Sequence, residues 1–176
     1  MYLPQIHAQC LAIGMRIVLG KVNTKRMITS VVLAEDNLEH CFFFKKALKD
    51  VAPQVKFADV HNGDELIELM DSYIPDLLFL DLGMPCRNGV QCIREIRSHR
   101  MYDAVPIIVF SVTSDDDAIQ TAYASGANLY AIKPEEYSLL KLVLSNILSM
   151  EWSNSKLITE KHFHRNRYLP FSLKGA

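Results

Sequence analysis

Short apolar segments alternate with segments of helical periodicity between Ser30 and Met150. Five of the apolar segments predict β-strands: Val31–Ala34, Val55–Val60, Leu77–Leu80, Ile107–Phe110 and Leu129–Ile132. Each is short and mostly apolar, which is typical of parallel strands that helices cover on both faces. The regular alternation therefore predicts a (βα)5 chain wound around one parallel sheet.

Helix signals follow every strand. The expected helices run from Asn37 to about Asp50, from Gly63–Asp64 onward, from Gly89 to Arg97, from Ser114 or Asp115 to near Ser125–Gly126, and from Glu135 to Met150. Asn, Ser and Asp favour helix starts because their side chains accept hydrogen bonds from free backbone amides. Right-handed crossovers then favour an α/β three-layer sandwich, flavodoxin-like, with strand order 2-1-3-4-5.

Polar side chains stand where four of these strands end. Glu35 and Asp36 follow the first strand, Asp81 the third, Ser111 ends the fourth and Lys133 follows the fifth. In the order 2-1-3-4-5 these four strands are neighbours, and ligands of such sheets bind beyond the carboxyl ends of the strands. We therefore expect these side chains to converge on one site.

Three carboxylates brought together need a cation. At about 4 Å and an effective dielectric constant near 20, each pair repels by about 4 kcal/mol. Hard oxygen ligands in an incomplete protein cage indicate Mg²⁺, which retains waters and accepts phosphate oxygens. A hydroxyl from Ser111 and the cation of Lys133 would stabilise a phosphoryl group as it moves onto Asp81, the predicted nucleophile.

At these residues the sequence resembles the receiver domain of the response regulators of two-component signalling, over about residues 28 to 150. The matching motifs are Val-Leu-Ala-Glu35-Asp36-Asn, Leu-Phe-Leu-Asp81-Leu-Gly-Met-Pro85, Val-Phe-Ser111-Val-Thr and Ile-Lys133-Pro134. Four motifs in the family's order at four strand ends make a specific match. The resemblance implies that Asp81 accepts a phosphoryl group from a phosphohistidine on a sensor histidine kinase or a histidine phosphotransfer protein.

The resemblance also implies a metal site. Mg²⁺ would be held by Asp36, Asp81 and the backbone carbonyl of Gly83, with Glu35 acting through a water or from behind the direct ligands. The family further implies that Ser111 donates a hydrogen bond to the aspartyl phosphate.

Other positions carry further expectations from the family. Lys133 would pair with a phosphate oxygen, and the Lys133–Pro134 bond is expected to be cis. Tyr130, three residues before the lysine, stands where the family has an aromatic side chain that changes rotamer as a switch.

The sequence departs from the family pattern after the acceptor and at two variable positions. Asn88–Gly89 replaces the more usual Asp-Gly, and Glu135–Glu136 follows Pro134 where an aromatic is common. Gly83 and Thr113 offer no amide or carboxylate that would orient a water for hydrolysis. We therefore expect a long-lived phosphoryl state with slow autodephosphorylation.

Charge divides the chain into three parts. Residues 1 to 29 hold four bases and no acid, residues 30 to 150 hold 10 bases and 18 acids, and residues 151 to 176 hold five bases and two acids. We interpret these parts as a basic N-terminal extension that is disordered or non-native, the receiver domain, and a basic, aromatic C-terminal tail. Docking on the domain or binding a partner protein is the expected role of the tail, ahead of nucleic-acid contact.

Composition and charge restrict the classes of partner and the cellular location that we expect. The formal net charge is only -1, which argues against a nucleic-acid binder, and no DNA-binding segment is expected. The four cysteines form no C-x-x-C pair, so reduced thiols and a cytoplasmic location are expected. The apolar stretch from Ala8 to Leu19 is broken by Arg16 and falls short of the roughly 20 residues that cross a membrane, so no membrane attachment is expected.

The sequence therefore predicts a stand-alone response regulator and not an enzyme acting on other substrates. Its phosphotransfer would be self-catalysed and Mg²⁺-dependent, and its output would be contact with a downstream protein, a homodimer, or onward relay of the phosphoryl group. One alternative is a degenerate receiver that binds proteins independently of phosphorylation. A haloacid-dehalogenase-type phosphohydrolase is disfavoured, because Gly83 stands where that family needs a second Asp.

Overall fold

A five-stranded parallel sheet with helices on both faces forms the domain. The computed structural model describes residues 27–173, and its sheet has the order β2-β1-β3-β4-β5. The strands are β1 (Ser30–Ala34), β2 (Lys56–Val60), β3 (Leu77–Leu80), β4 (Ile107–Ser111) and β5 (Leu129–Ile132). The flavodoxin-like α/β fold expected from the sequence is confirmed.

Six helices connect or follow the strands. They are α1 (Leu38–Val51), α2 (Gly63–Ser72), α3 (Gly89–Ser98), α4 (Asp116–Ala124), α5 (Tyr137–Ser149) and α6 (Ser155–Lys161). The Asn37 side chain accepts from the first-turn amides of α1, and the Asp115 side chain accepts from the amide of Ala118 in α4. Helix α5 begins two residues later than the sequence predicts.

Two apolar layers fix the sheet between the helices. On the α1 and α5 side, Phe44, Phe79 and Phe110 form an aromatic cluster whose ring centroids are 4.9 to 5.8 Å apart. On the opposite side, buried residues such as Leu66 and Ile93 pack α2 and α3 against the sheet. Burial on both faces leaves the strands little freedom to shift, so the strand ends stay in register.

The backbone ladder continues past the strands into the loops at their carboxyl ends. The amide of Asp81 donates to the carbonyl of Ala34 at 2.9 Å, and the amide of Lys133 donates to the carbonyl of Ser111 at 2.9 Å. These bonds align the residues that follow β3 and β5 with the ends of β1 and β4.

The chain after α5 folds back along the domain. Trp152 is only 2% exposed, and its indole N–H donates to the carbonyl of Ile147 at 2.8 Å. After α6, strands β6 (Phe163–His164) and β7 (Arg167–Tyr168) form a short antiparallel hairpin. Phe171 then lies parallel to Ala131 of β5.

The structure tests one expectation about a peptide bond and leaves another, about the N-terminal extension, outside the residues it describes. All peptide bonds of residues 27–173 are trans, so the expectation of a cis Lys133–Pro134 bond is wrong; even before proline, trans is favoured by about 0.5–1 kcal/mol. Most of the expected N-terminal extension, residues 1 to 26, lies outside the described residues. Within the part that is described, every helix is too short or too polar to cross a membrane.

Candidate functional site

Three carboxylates meet beyond the ends of β1 and β3. Oxygen atoms of Glu35, Asp36 and Asp81 all lie within 4.8 Å of one another. Glu35 is 2% exposed and Asp81 8%, whereas Asp36 is exposed to solvent. At this separation and an effective dielectric constant near 20, each ionised pair repels by roughly 3–4 kcal/mol. Such a group is stable only with positive charge close by.

Lys133 supplies part of that charge from the end of β5. Its ammonium contacts the Glu35 carboxylate directly and lies 3.1 Å from Asp81 Oδ1. The lysine side chain is itself largely buried, so water screens these contacts weakly. One ammonium neutralises one of three negative charges, and the group retains a net charge of about -2 when all three carboxylates are ionised.

The two oxygens of the Asp81 carboxylate differ in their hydrogen bonding. Oδ2 accepts a hydrogen bond from the amide of Gly83 at 3.1 Å. Oδ1 is buried and accepts no hydrogen bond from the described residues, although Lys133 lies at ion-pair distance. A buried carboxylate oxygen without a hydrogen bond is costly, and a cation or a new covalent bond would satisfy it.

The donor set fits a hard divalent cation. All the available ligand atoms are oxygens, the exposed Asp36 opens the site to water, and the excess negative charge favours a dication. Asp36 and Asp81 are the residues whose carboxylates would hold the ion, with Glu35 adjacent but committed to Lys133.

Glu35 is held by more donors than the sequence suggested. Besides Lys133, the Nδ1 atom of His40 lies 3.0 Å from Glu35 Oε1, and the amide of Asn37 donates to the same oxygen at 3.3 Å. No motif of the sequence marks His40 as a residue of the site. Its place in the first turn of α1, just after the acidic pair, was the available signal.

Beneath the acidic pair, two side chains support the loop between β1 and α1. The thiol of Cys41 donates to the Glu35 carbonyl at 3.4 Å, and His61 Nδ1 lies 3.2 Å from that oxygen. Burial, with the charges of Glu35 and Asp59, raises the pKa of Cys41 to about 11, so the thiol stays protonated at neutral pH and remains a donor. Cys41 and His61, which lie close to Asp59, thus support the loop that carries Glu35.

Ser111 and Tyr130 lie at the β4 and β5 side of the site. Ser111 is buried at the end of β4, and Tyr130 is 0% exposed on β5. The Tyr130 hydroxyl donates to the carbonyl of Thr113 at 3.0 Å. Burial raises the pKa of Tyr130 to about 12 against an opposing hydrogen bond with Ser111, and the charge of Asp81 adds to the rise. The phenol is therefore neutral at ordinary pH. Because the side chain is completely buried, the ring points into the domain.

Gly89 lets α3 approach the acceptor loop. A Cβ atom at this position would lie 2.3 Å from the Asp81 carbonyl oxygen and 2.8 Å from the Cα of Leu82. Asn88 and Gln91 close this helix start with reciprocal side-chain to backbone hydrogen bonds. The Asn88–Gly89 departure from the family pattern therefore keeps both the helix cap and the glycine that the packing requires.

The four sequence motifs thus meet at one edge of the sheet. Glu35, Asp36, Asp81 and Lys133 are in direct proximity, and the amide of Gly83 contacts the acceptor carboxylate. Ser111 stands beside Lys133 through the backbone bond between β4 and the end of β5.

A sequence model of the response regulator receiver domain family matches residues 31–145. The chain belongs to the response-regulator receiver family of two-component signalling, in which an aspartyl phosphate and Mg²⁺ are general features. Among curated relatives, it is 33% identical over 115 residues to the nitrate/nitrite response regulator protein NarL of Escherichia coli strain K12. That match covers 65% of this chain and 52% of NarL, so the chain spans about half the length of this relative.

Solved structures with the same fold include two further regulators. The phosphorylated cyanobacterial phytochrome response regulator RcpA has a TM-score of 0.65 at 25% identity, over 72% of this chain and 96% of RcpA. The Mn²⁺-bound form of response regulator Rcp1 has a TM-score of 0.62 at 21% identity, over 69% of this chain and 93% of Rcp1.

We expect Gly89→Ala to lower the free energy of unfolding by about 1–3 kcal/mol, because the added methyl group must displace the backbone of the acceptor loop. Urea denaturation followed by circular dichroism measures the loss. Gly83→Ala is the matched control, since a Cβ there meets only Asp81 Oδ2, at 3.3 Å. Equal losses for the two variants would contradict this account of Gly89.

Proposed function

We propose that the chain is a phosphorylation-controlled receiver whose acceptor is Asp81. The observation that carries the proposal is the Asp81 Oδ1 atom, which is buried, accepts no hydrogen bond from residues 27–173, belongs to an acidic group and lies 3.1 Å from Lys133 Nζ. An oxygen of Asp81 would attack phosphorus, the phosphorus–nitrogen bond of a phosphohistidine would break, and the imidazole would leave with the electron pair and take up a proton. Receiver-family membership implies a histidine kinase or phosphotransfer protein as the donor.

Divalent metal binding belongs to the same proposal. We assign Mg²⁺ to Asp36, Asp81 and the backbone carbonyl of Gly83, with Glu35 reached through water. The ion would offset the charge of the phosphoryl oxygens and of the three carboxylates. Rcp1, which shares this fold, has been solved in a Mn²⁺-bound form.

Ser111 and Lys133 would bind the phosphoryl group once it is on Asp81. Lys133 is already at ion-pair distance from Asp81 Oδ1 and would shift part of its contact from Glu35 to a phosphate oxygen. Ser111 would donate to another oxygen, as electrostatic stabilisation of the transferred group requires.

Output would proceed through Tyr130 and the surface around it. A phosphate that holds Ser111 toward Asp81 leaves room for the inward Tyr130 ring and favours one arrangement of α4, β5 and α5. The proposed signal is a change in protein binding at this face, recognised by a downstream partner or by a second copy of the chain.

Free thiols at Cys41, Cys86 and Cys92 fit a reducing, cytoplasmic setting.

We expect incubation with Mg²⁺ and acetyl phosphate to add one phosphoryl group to the protein, detected as a single mass increment by intact mass spectrometry. Peptide mapping should place it at Asp81, because this carboxylate combines an unsatisfied oxygen with an adjacent ammonium. Asp81→Asn should remain unmodified.

The matched control is Asp103→Asn, an exposed acid in the loop before β4, which should label like the wild type. An unlabelled wild-type protein would contradict phosphoacceptance and favour the phosphorylation-independent binding module instead.

The phosphoryl group should persist for minutes or longer after acetyl phosphate is removed with Mg²⁺ retained, because Gly83 and Thr113 present no group that orients a water. Thr113→Gln should shorten the lifetime by placing an amide near the acceptor, whereas Thr121→Gln, on the exposed side of α4, should not. Lifetimes follow from the decay of the phosphorylated mass peak. Decay of the wild type within seconds would refute the expectation.

We expect Asp36→Asn to weaken Mg²⁺ binding by about tenfold or more, because one proposed carboxylate ligand is lost. Isothermal titration calorimetry on metal-free protein measures the affinity. Asp117→Asn, another exposed acid in the first turn of α4, serves as the control for a general loss of charge. Equal Mg²⁺ affinities for wild type and Asp36→Asn would remove Asp36 from the metal site.

A further inference from the structure

The segment Phe163–Phe171, which we call the C-terminal hairpin, occupies a surface made by α4 and β5. The ring of Tyr168 stacks on the ring of Tyr123 in α4, with centroids 4.4 Å apart and planes inclined by 14°. The Gln120 side chain accepts from the amide of Tyr168 at 2.9 Å and donates to its carbonyl at 2.8 Å. Both backbone polar groups of Tyr168 are thus bound by one amide side chain, as a strand partner would bind them.

The hairpin also contacts the strand that carries Tyr130. The amide of Phe171 donates to the carbonyl of Tyr130 at 2.7 Å. The Tyr123 hydroxyl accepts from the amide of Tyr130 at 3.0 Å and donates to the carbonyl of Leu169 at 3.3 Å. Burial raises the pKa of Tyr123, so its hydroxyl keeps the proton that this bridge requires.

These contacts define what the surface binds. Strand β5 is at the edge of the sheet and presents the carbonyl of Tyr130 to an incoming chain, while α4 presents an aromatic ring and an amide. An extended segment with two aromatic residues three positions apart can contact this carbonyl, this ring and this amide together. Arg167 adds an ion pair with Asp116, but both partners are substantially exposed, so this pair contributes little.

We infer that the α4–β5 surface is a binding site for an extended aromatic segment, that the C-terminal hairpin is its resident occupant, and that hairpin binding and phosphorylation of Asp81 favour each other. The inference rests on the proposed function, because the second of the two coupled events is phosphorylation of Asp81. Tyr130 connects the two sites, because its hydroxyl faces the phosphorylation side through Thr113 while its backbone is bonded to Tyr123 and Phe171.

The direction of the coupling follows from the position of the Tyr130 ring. The ring is completely buried in the apolar cluster that includes Ile119 and Tyr123 of α4, and Tyr168 of the hairpin packs against this cluster. An outward rotation would take the ring out of the cluster that the hairpin helps to cover. Hairpin binding therefore stabilises the inward ring, the same arrangement that phosphorylation is proposed to favour. By linkage, each event strengthens the other by the same factor, commonly about 5-fold or more.

Amide hydrogen exchange measured by NMR tests the coupling on the full chain. Beryllofluoride with Mg²⁺ serves as a non-covalent phosphoryl analogue, and its binding is measured separately by titration. We expect it to slow exchange of the Tyr168 and Phe171 amides by about 5-fold or more. The Val55 amide, bonded to the carbonyl of Ala52 in the turn before β2 at the opposite edge of the sheet, should change little.

A variant tests the reverse direction. Gln120→Ala removes both hydrogen bonds to Tyr168 and keeps a strong helix former in α4, so the fold should survive. It should speed exchange of the hairpin amides and weaken beryllofluoride binding. Gln54→Ala, in the exposed turn between α1 and β2, is the matched control and should do neither.

The outcomes separate the two proposals. Analogue binding with unchanged hairpin exchange would overturn the coupling and leave the proposed function standing. Faster exchange on analogue binding would also overturn it, by showing that phosphorylation releases the hairpin. A wild-type protein that does not bind the analogue would overturn the proposed function, and this inference with it.

Discussion

Mutual repulsion among Glu35, Asp36 and Asp81 is the constraint that the rest of the structure must overcome. No local sequence preference would assemble these carboxylates; the register of β1 against β3 places them together, and two buried apolar layers hold that register. The free energy of core burial thus sustains an arrangement that is unfavourable by itself. Because the repulsion is only partly offset by Lys133, the site favours the uptake of a cation.

Strand β5 links this electrostatic site to the surface. Lys133 follows its end and contacts the carboxylates, while Tyr130 lies three residues earlier with its ring buried and its hydroxyl bound to the Thr113 carbonyl. Three residues of extended chain span only about 10 Å. A change in the position of Lys133 or Ser111 would therefore need only one short, hydrogen-bonded segment to reach the α4 and β5 surface.

Much of the fold and the central site could be predicted from the sequence, because both depend on short patterns. The apolar runs placed each of the five strands of the parallel sheet to within one residue, although they did not predict β6 and β7. The polar residues at the ends of the sheet strands identified Glu35, Asp36, Asp81 and Lys133 as neighbours. Contacts that depend on side-chain direction between distant segments could not be read in this way. The position of His40 in the first turn of α1 hints at its contact with Glu35, but Cys41 and His61, which contact the Glu35 carbonyl, carry no local signature. Leu139 fits the core spacing of α5 and is nonetheless substantially exposed, because the sheet covers only part of that helix.

The C-terminal hairpin changes how the edge of the sheet should be understood. An edge strand with unpaired backbone groups invites pairing with another chain, and proteins commonly cover it. Here the cover is bonded to Tyr130 itself and stacked on α4, and it lies beyond residue 145, where the match to the receiver family ends. Any protein that bound this face would therefore have to displace the hairpin or bind the surface that the hairpin presents, which includes the exposed Phe163 and Leu169 side chains. Displacing the hairpin would leave the Tyr130 carbonyl and the Tyr123 ring without their contacts. Binding on top of the hairpin would require fewer interactions to be replaced, and it is therefore the physically simpler way for a partner to recognise this face.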